Sequence, residues 1–401
     1  MKVDVLIVGG GFIGGTLAVA LAGAGLSVAV VDKTTPEAGL DRAFDGRASA
    51  IALASRRLFE AVGLWRKMAN DASPIREIRV SDNTSPLFLH YDHTDLGDEP
   101  FGYMLENRSI RKALFEALGE IPGIYLAAPA EVANLERGPG RVEATLRGGT
   151  KIEAALAVGA DGRRSATRRA AGIALTKWSY RQDGIVCTVA HERPHRGVAQ
   201  ERFLPGGPFA VLPLKGNRSS IVWTEREDLA PAIMALGEGE FLAELRRRFG
   251  DGLGRVSLAG PRWSYPLTLQ YAQTTVARRL VLVGDAAHGM HPIAGQGMNM
   301  GLRDACALAE VLVDAKRLGL DMGQASVLED YERRRRFDNT LMLALTDGLN
   351  RLFSNDIRPL ALLRDVGLAA VHKAPPLKKV FMRHAMGLAG DPPRLMRGEA
   401  L

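Results

Sequence analysis

Cysteine is almost absent from the 401 residues: Cys187 and Cys306 lie far apart and form neither a CxxC pair nor a zinc-ligand spacing. That argues against a dithiol redox centre, and two buried thiols are the plainer expectation. No apolar run approaches the roughly 20 residues that span a bilayer. The opening MKVDVLIVGGG is broken by glycine too soon for a secretory signal, so a cytoplasmic protein is expected. No zinc finger, RNA-recognition motif or long basic arm accompanies the net charge of +7, so no nucleic acid partner is expected. No Ser-His-Asp signature or cluster of catalytic carboxylates stands out, which suits chemistry needing no protein nucleophile.

What is present is ordinary for a globular chain, 46% hydrophobic and 24% charged, and long enough for about two domains. Residues 3–8, VDVLIV, read as a strand; 12–24 suit a buried helix; 27–32, SVAVVD, read as a second strand. Between them, Gly9, Gly11 and Gly14 fit G-x-G-x-x-G. The first glycine permits the tight turn, the second lets backbone approach a pyrophosphate, and the third lets helix and strand pack closely. Asp32 ends the second strand, where it can accept both hydroxyls of a ribose. This unit binds an adenine dinucleotide, without deciding between NAD and FAD.

Two later motifs also follow strand-like runs. In 159–165, GADGRRS, the Asp161-Gly162 pair read alone is a turn. In 284–305, GDAAHGMHPIAGQGMNMGLRDA, Asp285 is placed to hydrogen-bond a ribitol or ribose hydroxyl. Gly295 and Gly297 let backbone come close to a ring edge, and the helix that follows points its N-terminus there. A reduced flavin carries negative charge near N1 and the C2 carbonyl, which a helix dipole stabilises; Met298 and Asn299 can offer backbone N–H groups. These features favour FAD. His288 and His291 have no third ligand nearby, so no metal is expected and at least one of them is assigned a structural role. Pro292 stiffens the loop and can present its carbonyl above the flavin.

In this order the motifs resemble the group A flavin monooxygenases of the para-hydroxybenzoate hydroxylase fold. More narrowly, the chain is similar to the ubiquinone-biosynthesis hydroxylases. The likeness rests on FDGRASAIALAS at 44–55, YMLENRSIRKAL at 103–114, GADGRRSATRR at 159–169, VLPL at 211–214 with SIVWT at 220–224, and the 284–305 stretch, and it extends over nearly the whole chain. It implies an α/β fold with an α+β insert. A Rossmann-type FAD-binding domain would comprise 1–74, 101–178 and 268–325. A mixed β-sheet substrate domain, 75–100 and 179–267, would be inserted into it, and C-terminal helices would fill 326–401.

The resemblance also implies a reaction: NAD(P)H or another donor reduces FAD, O2 forms a flavin C4a-hydroperoxide, and one oxygen atom passes to an aromatic ring. The implied substrate is a polyprenylated phenol or quinone intermediate of ubiquinone biosynthesis. Asp32 would hold the adenosine ribose, where family members often carry Glu, and Asp285 the ribitol. Arg47 and Asn107 would line the flavin side of the cleft with Arg108 assisting, and Asp161 lies in the motif linked to both FAD and NAD(P)H. Arg47, Pro292 and His291 are the candidate catalytic positions, His291 as the base.

An apolar substrate needs an apolar wall, and Leu204, Phe209, Leu212, Pro213 and Trp223 are the candidate lining, with strand core as the plainer alternative. Around 360–387, Lys373, Lys378, Lys379 and Arg383 mix with Leu377, Val380, Phe381 and Met386, and Pro375-Pro376 breaks the segment in two. A basic amphipathic helix of this kind can rest on the inner face of an anionic membrane, or pack on the body or on a partner in a quinone-biosynthesis complex. The run Arg333–Arg336 reads as a solvated helix face with ion pairs rather than a binding patch. Hydroxylation of a small soluble aromatic acid, reduction of an isoprenoid double bond, and a non-catalytic FAD-bearing assembly subunit are the competing functions.

Overall fold

The computed structural model describes residues 1–41, 46–82, 88–290, 295–353 and 374–401. At its centre strand Lys2–Val8 pairs in parallel with Val28–Val31 on one side and Lys151–Gly159 on the other. Ile124–Ala127 and Leu280–Leu282 extend this parallel sheet. Its strands are nearly continuous apolar runs because both faces are covered. Helices Phe12–Gly23, Asn107–Glu120 and Gln296–Arg317 bury one face, with Leu17, Leu21, Ile110, Leu114, Leu302 and Leu308 in contact with the strands' core. An antiparallel pair, Val132–Arg137 and Val142–Leu146, supplies Val142, Ala144 and Leu146 to the other face.

Register places the motifs. Val8 stands opposite both Val31 and Gly159, and Gly159 stands opposite Leu282. Four strands therefore end on one line, and the Gly9 turn, Asp32, the Asp161 turn and the Asp285 turn all emerge from the same carboxyl edge. That edge is where open α/β sheets bind their ligands.

A second, mixed sheet of nine strands is built from Glu77–Asp82, Phe88–Asp92 and the segments from Leu175 to Ala272, joined by the two-residue strand His288–Gly289. Helices Ala230–Ala235 and Glu238–Phe249 cover one of its faces through Ala230, Phe241, Leu245 and Phe249. Strand Leu175–His191 is 17 residues long and pairs from Leu175 to Val186 with Trp263–Ala272. The expected boundaries at 178/179 and 267/268 therefore fall inside strands. The chain bends within Leu175–His191, where the register shifts between Ser179 and Asp183 and Arg181 takes φ 54°. A strand that continues through a bend leaves no composition break to read.

The C-terminal part runs through helix Ala325–Phe353 and then Pro375–Ala385. Pro375 and Pro376 open that helix, as proline does in a first turn, and the part of the expected segment at 360–373, with Lys373, lies outside the described residues. No helix among the described residues is long and apolar enough to cross a membrane.

Candidate cofactor cleft

The glycines of the first turn divide the work. Gly9 has φ 105°, and a Cβ there would lie 2.4 Å from the Ala160 carbonyl oxygen, so the first motif presses directly on the second. A Cβ on Gly14 would lie 1.9 Å from the Gly9 oxygen. Gly11 is different: among the described residues, its chain neighbours aside, no atom lies within 4 Å of its Cβ position, and no side chain caps the helix it opens. Open space in front of an uncapped helix N-terminus is what an anion needs. The Asp32 carboxylate accepts from Gly10 N–H at 2.6 Å and from Thr34 N–H at 2.7 Å, which fixes it beside that opening.

The second and third motifs clasp one another. Arg163 Nε donates to the Asp285 carboxylate at 3.1 Å and Arg163 Nη2 to the Met290 carbonyl at 3.3 Å. Gln270 Nε2 donates to the carbonyl oxygens of Asp285 (2.9 Å) and Arg163 (3.2 Å). Buried Arg168 donates to the Ala286 carbonyl at 2.8 Å. The Asp285 side chain stays 47% exposed, open to the cleft. The Asp161 carboxylate is engaged locally, by Ser165 Oγ at 2.5 Å and by Thr167 N–H and Oγ1 at 3.0 Å each. Of its motif, Arg163 reaches the third motif; a charged residue after Asp-Gly was the only signal in the sequence.

A third wall comes from strand Ala48–Ala52. Asn299, buried in the first turn of Gln296–Arg317, donates to the Ala50 carbonyl and accepts from Ala52 N–H, both at 2.9 Å. Ser49 Oγ donates to Asn107 Oδ1 at 2.6 Å, and Asn107 N–H donates to the Arg47 carbonyl at 3.0 Å. Asn107 and Asn299 thus stitch the strand to the two helices that flank it. Gly295 caps the second of those helices at φ 62°, and among the described residues no side chain caps it and none approaches the Cβ position of Gly297. Met298 packs half-buried against the main core, and Arg108 is exposed. Arg47 lies over the Tyr265 ring at 4.9 Å, and Gly46 abuts the Trp263 indole so closely that a Cβ would fall 1.6 Å from it. His291 and Pro292 lie outside the described residues.

The opposite wall corrects the expected lining. Phe209 pairs with Trp223, which pairs with Ile185, and all three pack under the helices with Phe241. Leu204 packs on the same cluster, and Pro213 shares that face by its register with Ser219 and Val189. Four of the five expected lining residues are therefore helix-side core, and only Leu212 points the other way. Residues on Leu212's face are Ala210, Val222 and Val186, in line with Trp263, and then Tyr265. Trp263 and Tyr265, which meet the Gly46–Arg47 loop, are the aromatic residues of this wall. Strand Gly207–Leu214 is apolar on both faces, so its sequence carries no alternation from which to assign sides.

Behind the third motif lies a buried charge cluster. Asp304, fully buried, accepts from His288 Nε2 at 2.6 Å, Gly284 N–H at 3.0 Å and Arg335 Nε at 2.8 Å. Burial alone would raise the Asp304 pKa, but the facing His288 and Arg335 hold it far below the usual carboxylate range. His288 thus has the structural role expected of one of the two histidines. Arg335 corrects the reading of the arginine run as solvated: it is 2% exposed, while Arg333 and Arg334 pair with acids at the surface.

Comparison with known proteins gives the family. Residues 2–344 match the family described as FAD binding domain. Ubiquinone hydroxylase UbiL of Rhodospirillum rubrum is 58% identical over 401 residues, covering 99% of this chain and 93% of the relative. The 3-demethoxyubiquinol 3-hydroxylase of Escherichia coli is 36% identical over 389 residues, covering 96% and 98%. The crystal structure of p-nitrophenol 4-monooxygenase PnpA from Pseudomonas putida superposes with a TM-score of 0.80 at 20% identity, covering 97% and 99%, a likeness of fold. The chain is a member of the FAD-dependent monooxygenases and belongs, among them, to the ubiquinone hydroxylase family.

Proposed function

We propose that this enzyme hydroxylates the aromatic ring of a polyprenylated phenol or quinone intermediate of ubiquinone biosynthesis, using FAD, O2 and NAD(P)H or another electron donor. The observation that carries the cofactor part is the meeting of three motif turns at one sheet edge, with open Cβ positions at Gly11 and Gly297. Gly9, Gly11 and Gly14 shape the pyrophosphate turn, Asp32 takes the adenosine ribose, and Asp285 takes the ribitol. Gly295, Gly297 and the first-turn amides of Met298 and Asn299 meet the pyrimidine edge of the ring. Arg47, Asn107 and Arg108 border its other side. Bound there, FAD supplies the redox chemistry that puts one oxygen atom of O2 on the ring and releases the other as water.

The protein's own share is orientation and exclusion of water. The half-buried band Ala210, Leu212, Val222, Trp263 and Tyr265 offers an apolar wall to an aromatic head with a hydrocarbon tail. Such a substrate resides in lipid, and helix Pro375–Ala385 suits delivery from a membrane face. Leu377, Val380 and Phe381 of that helix are 43%, 59% and 45% exposed, next to Lys379 and Arg383. The test is mass spectrometry of quinone intermediates in cells lacking this gene. A polyprenyl phenol missing a ring hydroxyl should accumulate and disappear when the gene is restored. Unchanged quinone and intermediate levels would overturn the assignment.

A further inference from the structure

Asp285 stands exposed in a turn whose two ends are held by a single buried carboxylate. Asp304 Oδ2 accepts from Gly284 N–H, the amide just before Asp285, and from His288 Nε2, three residues after it. Its other oxygen, Oδ1, accepts from Arg335 Nε at 2.8 Å and Asn339 Nδ2 at 3.4 Å, one turn apart on helix Ala325–Phe353. Arg335 also donates to Asn339 Oδ1 at 2.7 Å and to Asp338 at 2.7 Å. One turn earlier, Tyr331 donates its hydroxyl to the Leu282 carbonyl at 3.2 Å, on the strand that leads into the turn. Asp304, His288, Arg335 and Asn339 are all buried.

A carboxylate this deeply buried costs desolvation, and a core of the same shape could be apolar. What a charge adds is direction: it accepts bonds from fixed angles on both sides. Gly284 leaves the strand at φ 58° with Ile13 against its Cβ position, so the turn has one seat and Asp304 determines how it sits there. We propose that Asp304 is a positioning residue for the cofactor: backed by Arg335 and Asn339, it clamps both ends of the 284–288 turn and so aims the Asp285 carboxylate into the cleft. The inference rests on the assignment of Asp285 to the ribitol.

The test is a double-mutant cycle on FAD affinity, measured by fluorescence titration of the apo-protein, with its melting temperature recorded alongside. Asp304→Asn puts an N–H where one lone pair accepts and so disturbs one arm of the clamp. In the otherwise unchanged protein it should weaken FAD about tenfold or more. On an Asp285→Ala background the further loss should be under about twofold, because the group being aimed is gone. Equal losses in both backgrounds, or full FAD affinity in folded Asp304→Asn, would overturn the proposal. If Asp304→Asn does not fold, His288→Gln, which releases only the far end of the turn, goes through the same cycle with the same criterion. Full FAD affinity in Asp285→Ala itself would instead remove the ribitol assignment, an outcome distinct from additivity.

Discussion

The two walls of the cleft are made of different material. The wall proposed to hold the cofactor is chiefly backbone: Gly9, Gly11, Gly295 and Gly297, two helix ends that no side chain among the described residues caps, and carboxylates held at fixed points. The opposite wall is side chains on one face of a sheet whose other face is equally apolar. Backbone constraints are local, so a glycine required by a 2.4 Å approach is required wherever the rest of the chain lies. A side chain on a strand faces whichever way register turns it, and register is set by partners far away in sequence. The first wall is therefore specified residue by residue, while the second is specified only as a pattern.

Within the cofactor wall the sharpest division lies between Gly14 and Gly11. Gly14→Val should yield little folded protein, because its Cβ would sit 1.9 Å from the Gly9 oxygen, 2.9 Å from Ala160 Cβ and 3.1 Å from Ile7 Cγ2. Gly11→Val should fold, since nothing among the described residues meets its Cβ, yet it should lose most FAD affinity by filling the opening before the helix. Yield of folded apo-protein and FAD titration separate the two. Equal folding of both variants would mean that the turn is not held as the distances indicate.

The same division explains what could be read from the sequence. The strand–glycine–helix order, Asp32, and the turns at 161 and 285 announce the shared sheet edge, because each needs particular residue types at short spacing. The Asp304–Arg335 contact spans 31 positions and joins two helices that each look amphipathic alone, so Arg335 was indistinguishable from its three arginine neighbours. Trp263 and Tyr265 reach the cleft through pairing with Val186 and Gly184, which no local spacing announces. Phe209 and Leu212 make the ambiguity testable. Phe209→Ala should cost about 3–5 kcal/mol of stability, the usual loss for a buried aromatic, with KM for the substrate little changed. Leu212→Ala, half-buried on the other face, should cost less stability and raise KM. Urea unfolding and steady-state kinetics on the two variants would show the reverse if the faces were exchanged.

The smallest effect expected is a difference in how the two walls respond to acid. His191, on the nine-stranded sheet, is pulled below its ordinary pKa chiefly by burial, although the Arg193 carbonyl works the other way. A histidine whose folded pKa is depressed costs nothing above about pH 6.5, where both states are neutral. As pH falls below that, the unfolded chain takes up the proton first and stability declines. Asp304, behind the cofactor wall, has a folded pKa far below the unfolded value, so its contribution is complete above about pH 4 and declines only below it. Urea midpoints measured from pH 8 to pH 3 should therefore fall in two stages. His191→Gln should shrink the upper stage, which His384, also lowered chiefly by burial, shares, and leave the lower one, and Asp304→Asn should shrink only the lower stage, which other paired carboxylates share. A single decline centred near pH 4 in the unmodified protein would show that the sheet wall does not bury its histidine against protons.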